Sequence, residues 1–473
     1  MNNPVELAIV GAGPAGIEAA IVAAKVGVDV VLIDLARQPG GQYFKQLPAE
    51  FQSEDHSKFH LKAEKLYRSL GKAKVNIMTE TLVWGAFPGL RPGEWVLALY
   101  GPEGSTLLNT RALILATGAY ERSIPFPGWD LPGVITAGAA LFLIKNQGVL
   151  PGKRFVLSGS GPLLLEAAAY LVKAGAEVTG VFESTAGLPW RIAPYLPALW
   201  GQWARIGEGL DYIKTLVNSG VPYHTGQAVI EARGDGKVEE VVVARLEKSG
   251  KTIQSSEKTL SVDTVVAGYG LVPGTELSRV LGCDSEYIHE FGGFIPVRNE
   301  KMQSSLSGVY VVGDGARIGG AENAMIEGRI AGWSAATFLG CLSEQEARQA
   351  IAKERADFKK EQRFSRMLAD LFTPHPGLYS FADDETIICR CEQVTLRQIR
   401  EALKIGAQTV VDVKNLTRCG MGNCQGRTCG EIVAHITAAE TGQTIEDVRN
   451  FISRPPIHPI PLYAIEETKI PPN

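Results

Sequence analysis

The chain has 473 residues, of which 21% are charged and 45% hydrophobic, and its formal net charge is −4. This length predicts two to four domains, and this composition is typical of a soluble globular enzyme. A charge so close to neutral argues against nucleic acid or an acidic membrane surface as a partner. The sequence has no apolar run long enough to span a bilayer, and its first residues lack the features of a signal peptide. We therefore expect a cytoplasmic protein that is not transmembrane.

The first element along the chain is a strand, turn and helix with a dinucleotide-binding pattern. Residues 5–10 predict a buried parallel strand, and residues 14–27 predict a helix. Between them, Gly11, Gly13 and Gly16 form G-x-G-x-x-G. These glycines provide a tight turn, close backbone approach to a pyrophosphate, and close packing of helix on strand. The pattern therefore predicts a bound dinucleotide.

An acidic residue completes this pattern. Asp34 ends the second predicted strand, residues 29–34, where an acid hydrogen-bonds a ribose hydroxyl and repels a 2′-phosphate. NADP is therefore disfavoured at this site. The neighbouring residues expected to contact the cofactor are Pro14, Ala15 and Leu35.

The remaining elements predict an α/β fold in which one nucleotide-binding domain interrupts another. Residues 74–117 resemble a small β-meander, and a second strand–helix–strand unit begins at Lys153. Residues 308–316 supply a late apolar strand that ends in a turn. We expect two Rossmann-like dinucleotide-binding domains, the second inserted in the first, and a small α-rich iron–sulfur domain. The expected boundaries are 1–120 with 281–380, 121–280 for the insert, 384–440 for the cysteine-rich domain, and 450–473 for an extended, proline-rich surface tail.

The second glycine motif is degenerate. Gly159 and Gly161 occupy the first two glycine positions, but Leu164 occupies the third, where it should push helix and strand apart or tilt the helix. Glu183 ends the following strand and is the candidate ribose ligand. The fold should be retained, while the ligand stays open between NAD(P), another adenine nucleotide such as ATP, and none.

Five of the seven cysteines lie close together near the C-terminal end. Four thiolates in a glycine-rich module are what a [2Fe–2S] cluster requires, and the candidate ligands are Cys389, Cys391, Cys424 and Cys429. A structural zinc site is the main alternative, although zinc sites favour CxxC pairs. Cys419 is a fifth candidate.

Three motifs in order resemble the two-dinucleotide flavoprotein family: GAGPAG, ILATGAYERSIPFPG and VYVVGDGA. The resemblance implies that the cofactor at the first motif is FAD. It also implies that Gly313 and Asp314 touch the FAD ribityl and pyrophosphate groups, and that Thr117 and Gly118 form the family's ATG turn. The residues that resemble the segment near the flavin are Gly41 and Gln42.

Over nearly its whole length, including TRCGMGNCQGRTC and RPPIHPIPL, the chain resembles the alpha subunits of bacterial opine oxidases and D-hydroxyproline or proline dehydrogenases. Hydrogen cyanide synthase is similar. The cysteine module resembles BFD-like ferredoxins, whose pattern Cys424 and Cys429 match better than Cys419 does. The resemblance implies FAD and a [2Fe–2S] cluster, and it leaves room for FMN at a subunit interface.

The same resemblance implies partners. A D-amino-acid-oxidase-like beta subunit would oxidise the amine, a small gamma subunit is a further option, and the electron acceptor would be a quinone or a soluble carrier. A quinone acceptor would bring the protein to the periphery of the inner membrane. The sequence itself offers no convincing general base, and the seven scattered histidines are expected to be structural.

We therefore predict an electron-relay subunit of a heteromeric amine or imino-acid dehydrogenase of the opine, hydroxyproline or glycine type. One alternative is a stand-alone NAD(P)H-dependent flavoprotein reductase of a ferredoxin or another acceptor, against which Leu164 counts. Another is a non-enzymatic iron-handling module, against which the large flavoprotein body counts.

Overall fold

The computed structural model describes residues 4–45 and 58–468, and the chain divides into two compact units. The first unit contains the residues up to Tyr120, Val272–Ser365, and those from Ile452 onward. The second unit contains Glu121–Leu271 and Arg366–Phe451. The segment that carries the cysteines thus lies in the same unit as the insert.

Strands and helices alternate over residues 5–78 and 134–183, whereas successive strands follow one another over residues 75–136 and 223–273. The strands are β1 (Val5–Val10), β2 (Val30–Ile33), β3 (Val75–Met78), β4 (Leu82–Pro88), β5 (Trp95–Gly101), β6 (Gly104–Leu115), β7 (Ala119–Glu121), β8 (Val134–Thr136), β9 (Arg154–Gly159), β10 (Glu177–Glu183), β11 (Tyr223–Thr225), β12 (Gln227–Arg233), β13 (Glu240–Arg245), β14 (Lys258–Ser261), β15 (Thr264–Gly268), β16 (Leu271–Pro273), β17 (Ser285–Ile288), β18 (Gly293–Pro296), β19 (Val309–Val311), β20 (Ile387–Cys389) and β21 (Val394–Thr395). The helices are α1 (Pro14–Lys25), α2 (Lys58–Lys72), α3 (Ala137–Gln147), α4 (Pro162–Lys173), α5 (Leu188–Ile192), α6 (Leu196–Leu199), α7 (Trp203–Asn218), α8 (Glu276–Leu281), α9 (Ala321–Phe338), α10 (Glu344–Phe372), α11 (Leu396–Lys404), α12 (Val410–Thr417), α13 (Gly430–Thr441), α14 (Ile445–Val448) and α15 (Leu462–Thr468).

The first unit contains a sheet in the order β3-β2-β1-β6-β5-β4, with β19 also paired to β6. Strands β3, β2, β1, β6 and β19 are parallel, while β6, β5 and β4 form an antiparallel meander. The predicted meander over 74–117 is therefore correct only from β4 onward, because β3 belongs to the parallel part. The continuous apolar sequences of β1 and β2 suit strands that are covered on both faces.

Helices α1 and α9 pack against each other in this unit. Their contact is close because glycines face it: a Cβ on Gly328 would lie 2.1 Å from the carbonyl oxygen of Ala15. A Cβ on Gly332 would lie 2.7 Å from the carbonyl oxygen of Ala19. The two helices therefore touch backbone to backbone.

The second unit has a fully parallel sheet, ordered β11-β10-β9-β15-β8, and an antiparallel sheet of β12, β13 and β14. Helices α11 to α14 surround the cysteines. Their apolar side chains join those of the insert in one buried cluster, and the indole Nε1 of Trp129 donates to the carbonyl oxygen of Ile387 at 2.6 Å. The predicted α/β class, with two Rossmann-like folds and a helical C-terminal region, is confirmed. Within residues 4–45 and 58–468, no helix is both long and apolar enough to cross a bilayer.

The C-terminal segment differs from the predicted extended surface tail. Ile457 is 5% exposed within an apolar cluster of the first unit, and its N–H donates to the carbonyl oxygen of Trp84 at 2.8 Å. Helix α15 then follows, beginning directly after Pro461. The prediction failed because Ile457, Ile460 and Leu462 are interspersed with prolines, and no sequence signal shows that Ile457 is the one that is buried.

Replacement of Ile457 by alanine should lower the free energy of unfolding of the first unit by about 2–5 kcal/mol, the usual cost of truncating a buried isoleucine. Denaturant titration monitored by intrinsic fluorescence would measure it. Ile452 is 58% exposed, and Ile452→Ala is the matched control, with an expected change within about 0.5 kcal/mol. Equal effects of the two variants would contradict the anchoring role.

Candidate cofactor sites

Two glycines of the first motif stand where a side chain would collide with the backbone. Gly11 has a φ of +103°, and a Cβ there would lie 2.2 Å from the carbonyl oxygen of Ala116. A Cβ on Gly16 would lie 1.9 Å from the carbonyl oxygen of Gly11. Around Gly13, by contrast, the nearest described atom to an added Cβ is the Cα of Gly41, at 4.0 Å. The backbone at Gly13 can therefore be approached closely, as a pyrophosphate requires.

Asp34 organises the turn beside this motif. One of its carboxylate oxygens accepts from the N–H of Ala12 at 2.5 Å, and the other accepts from the N–H of Ala36 at 2.7 Å. The carboxylate remains partly exposed, and the neighbouring Leu35 is 61% exposed. Gln42 is exposed as well. Pro14 is the first residue of α1, where a missing N–H costs no helical hydrogen bond.

The later motifs lie next to the first one. A Cβ on Gly313 would lie 3.1 Å from the Cβ of Ala15, so the late turn packs against the start of α1. A Cβ on Gly315 would lie 2.7 Å from the Oγ1 of Thr117 and 3.1 Å from the nitrogen of Gly118. The structure therefore brings together motifs that are far apart in sequence.

Asp314 accepts from the N–H groups of Gly319 and Gly320, at 2.9 and 3.0 Å, through a single oxygen. Burial raises the pKa of this carboxyl group above its ordinary value. Asp314 thus orders the loop that leads into α9. Together, these glycines, the acid at the end of β2 and the N-terminus of α1 fit a dinucleotide cofactor.

Glu327 is a residue of this site that the sequence analysis missed. Its side chain is 0% exposed on α9, and it accepts from the N–H of Gly313 at 2.9 Å. Arg298 donates two hydrogen bonds to the two carboxylate oxygens, at 2.7 and 2.6 Å, and Arg317 lies 3.8 Å away. The available signal was its helical spacing, because Glu327 shares a helix face with the small apolar residues Ala324 and Ala331, three residues before and four after it.

The leucine of the second glycine motif is buried beside a glycine of a neighbouring strand. Leu164 is 0% exposed, and a Cβ on Gly268, at the end of β15, would lie 3.3 Å from its Cδ1. A Cβ on Gly159 would lie 2.0 Å from the carbonyl oxygen of Gly268, so these strands also approach closely. The predicted separation or tilt of the helix stays a prediction, and the missing side chain at Gly268 provides space for Leu164.

Glu183 differs from Asp34 in that it is 0% exposed. Its two carboxylate oxygens accept from the N–H groups of Gly161 and Thr185, at 2.8 and 2.9 Å. Burial raises the pKa of Glu183, although these hydrogen bonds oppose the shift. Both acids accept from two backbone N–H groups, but Glu183 is fully buried while Asp34 is partly exposed, so Glu183 is the less accessible to a ribose.

Three cysteines of the second unit form a buried cluster. The Sγ atoms of Cys389, Cys419 and Cys429 all lie within 4.8 Å of one another. Cys389 ends β20, and Cys429 immediately precedes α13, whose N-terminal dipole favours negative charge. The N–H of Gly420 points at the Sγ of Cys389, at 3.5 Å.

The thiols share their protons in a way that suits metal binding. Hydrogen bonds from Cys419 and Cys429 lower the pKa of Cys389 to about 2, whereas the contact with Cys389 raises the pKa values of Cys419 and Cys429. Three thiolates so close together would repel one another strongly unless a cation lies between them. The donor set therefore fits a thiophilic metal or an iron–sulfur cluster.

The other two predicted ligands lie against each other. Cys391 is exposed, and its thiol is hydrogen-bonded to Cys424 and interacts electrostatically with Cys389. A Cβ on Gly422 would lie 2.2 Å from the Cβ of Cys391, so the loop closes tightly over this thiol. All four predicted ligands thus belong to one region, and Cys419 is a fifth thiol inside it.

Known proteins share these features. Residues 5–338 match the family of pyridine nucleotide-disulphide oxidoreductases, and residues 384–468 match the sarcosine oxidase A3 domain. The A subunit of opine oxidase from Agrobacterium tumefaciens (strain Ach5) is 33% identical over 468 residues, which cover 97% of this chain and 90% of that protein. The chain belongs to the family of opine oxidase A subunits. It is therefore an oxidoreductase, and the resemblance inferred from its motifs is confirmed.

Two further similarities extend this result. The HcnB subunit of hydrogen cyanide synthase from Pseudomonas aeruginosa is 34% identical over 476 residues, covering 97% of this chain and 97% of that protein. Among solved structures, L-proline dehydrogenase from P. horikoshii superposes with a TM-score of 0.70 at 21% identity, covering 98% of this chain and 79% of that one. At this identity, the second similarity concerns the fold alone.

Proposed function

We propose that this chain is the FAD- and [2Fe–2S]-containing electron-relay subunit of a heteromeric amine or imino-acid dehydrogenase. It would receive electrons from a D-amino-acid-oxidase-like beta subunit and pass them to a quinone or a soluble carrier. The observation that carries the proposal is the combination, on one chain, of an approachable dinucleotide motif and a cluster of cysteine thiols. The names of the relatives support it, because the opine oxidase relative and HcnB are both named as subunits.

Each of the two groups has residues suited to hold it. Gly11, Gly13 and Asp34 would hold the pyrophosphate and ribose of FAD, with Gly313 and Asp314 beside the first turn of α1. The expected cluster ligands are Cys389, Cys391, Cys424 and Cys429. FAD accepts a pair of electrons and the cluster carries one at a time, so the protein has only to position them.

The second motif supports relay rather than direct reduction by a nicotinamide cofactor. Leu164 occupies the third glycine position, and Glu183 is 0% exposed, whereas Asp34 of the first motif is partly exposed. A site that cannot offer an accessible acid to a ribose is a weak NAD(P)H site. The electrons would then come from a partner subunit that oxidises the substrate.

An anaerobic titration of the purified chain with NADH, and then NADPH, tests this proposal. We expect neither to bleach the flavin, while dithionite should reduce both the flavin and the cluster. Rapid bleaching by either nucleotide would instead establish a stand-alone reductase. Full turnover of an amine by this chain alone would also overturn the proposal, because the relay requires a separate catalytic subunit.

A further inference from the structure

A phenylalanine side chain lies beside the second glycine of the second motif. The second glycine of a dinucleotide motif lacks a side chain so that the pyrophosphate can approach its backbone. At Gly161, an added Cβ would meet the side chain of Phe372, with the Cβ at 3.3 Å, Cγ at 3.5 Å and Cδ1 at 3.9 Å. At the equivalent Gly13, it would meet only Gly41 among the described residues. The two motifs therefore differ in what occupies the space next to this glycine.

Phe372 is the last residue of α10, and the end of this helix is tied to the loop after β10. The hydroxyl of Thr185 donates to the carbonyl oxygen of Leu371 at 3.3 Å. The guanidinium of Arg191 donates to the carbonyl oxygen of Asp370 at 2.8 Å. The segment that follows Glu183, the candidate ribose ligand, is thus hydrogen-bonded to the C-terminal end of α10.

A second contact holds the same helix end. The hydroxyl of Tyr195 donates to a carboxylate oxygen of Asp370 at 2.9 Å, while Arg366 donates to the other at 2.9 Å. All these residues belong to the second unit. Three backbone or side-chain anchors therefore fix the position from which the Phe372 ring projects.

We propose that Phe372 is a specificity-determining residue that excludes nucleoside diphosphates from the second motif. The ring occupies the volume that a pyrophosphate would need, and an apolar ring cannot replace the hydrogen bonds of a phosphate. This inference rests on the proposed function, which it deepens by naming what prevents NAD(P)H from acting as a direct electron donor. The glycine turn and Glu183 then have a structural role only, and Phe372 at the end of α10 takes the place of the nucleotide.

Calorimetric titration of ADP-ribose into the full chain, loaded with FAD and iron, tests this role. ADP-ribose carries the diphosphate but no nicotinamide, so binding is measured without redox chemistry. We expect no saturable binding to the unmodified protein and at least tenfold tighter binding to Phe372→Ala. The matched control is Phe338→Ala, since Phe338 also ends a helix and is 42% exposed. It should behave like the unmodified protein.

Two results would overturn the proposal. Equal binding of ADP-ribose to the unmodified protein and to Phe372→Ala would show that the ring does not block the site. Binding to neither would show that Phe372 is not what excludes the ligand. If Phe372→Ala loses FAD or its folded circular dichroism spectrum, Asp370→Ala serves as the second variant. It keeps the Phe372 ring but removes the hydrogen bond from Tyr195 that helps to hold the helix end, so the ring is free to move away from Gly161.

The outcome is separable from that of the relay proposal. Binding of ADP-ribose to the unmodified protein, without flavin reduction by NADH, would overturn the role of Phe372 and leave the relay intact. Flavin reduction of the unmodified protein by NADH would overturn both. Reduction that appears only in Phe372→Ala would support both, because it requires a site that the ring had closed.

Discussion

Replacement of Cys424 by serine should abolish assembly of the [2Fe–2S] cluster, whereas replacement of Cys419 by serine should leave the cluster in place. Both thiols lie in the same short loop region, so the pair is a matched comparison of ligand and neighbour. Cys424 contacts Cys391, and Cys389 contacts Cys429 and Cys419. Two pairs of thiolates, one per iron, are the arrangement that a [2Fe–2S] cluster requires.

Iron and sulfide content, together with the visible and electron paramagnetic resonance spectra, would measure the effect. We expect about two irons per chain in the unmodified protein and in Cys419→Ser, and close to none in Cys424→Ser. Acceptor reduction should fall to background only in Cys424→Ser. If Cys419→Ser lost the cluster and Cys424→Ser kept it, the ligands would instead come from the buried group of Cys389, Cys419 and Cys429. A single bound zinc, without sulfide, would identify a structural zinc site instead.

Replacement of Glu327 by alanine should destabilise the first unit by about 3–5 kcal/mol, because it leaves a buried guanidinium without its partner. Arg298 is 11% exposed and donates two hydrogen bonds to this carboxylate, beside one to the carbonyl oxygen of Val311. The same change removes the acceptor for the N–H of Gly313, so the late turn of the dinucleotide site should lose its fixed position. We therefore expect Glu327→Ala to lose flavin at lower denaturant concentrations than the unmodified protein does.

Denaturant titration and flavin retention on gel filtration would measure these effects. Lys301→Ala is the control, because its pair with Glu344 is about half exposed on both sides and should cost less than about 1 kcal/mol. Glu327→Gln keeps an acceptor for the N–H of Gly313 and should retain more flavin than Glu327→Ala. A loss of stability no greater than that of Lys301→Ala would contradict the structural role of Glu327.

The sequence was most informative where local patterns determine structure. Parallel strands that are buried on both faces need continuous apolar runs, so β1, β2 and the motif at Gly11 were predictable. The inserted arrangement followed from the order of the motifs. The same reasoning missed the parallel pairing of β3 and the anchoring of Ile457, because both depend on which distant residues supply the neighbouring surface.

The sequence predicted the glycine and cysteine motifs of the candidate sites, but not which distant side chains pack against them. Spacing identified Gly159 and Gly161, but not that Gly268 makes room for Leu164 or that Phe372 lies against Gly161. These partners are separated by many residues from the motif that they modify. Likewise, spacing alone could not show that Cys419 lies among the candidate ligands, since the loop path decides which thiols meet.

The close contact between α1 and α9 has a consequence for how the flavin site opens. Ala15 and Gly328 meet without an intervening side chain, although more than 300 residues separate them in the chain. Helices packed at this distance cannot separate by small rotamer changes, so they open together as one cooperative unit. Amide protons in the first turn of α1 and along α9 would then exchange with solvent through the same rare event. If FAD binds at this motif as proposed, its release would then be coupled to the same opening event.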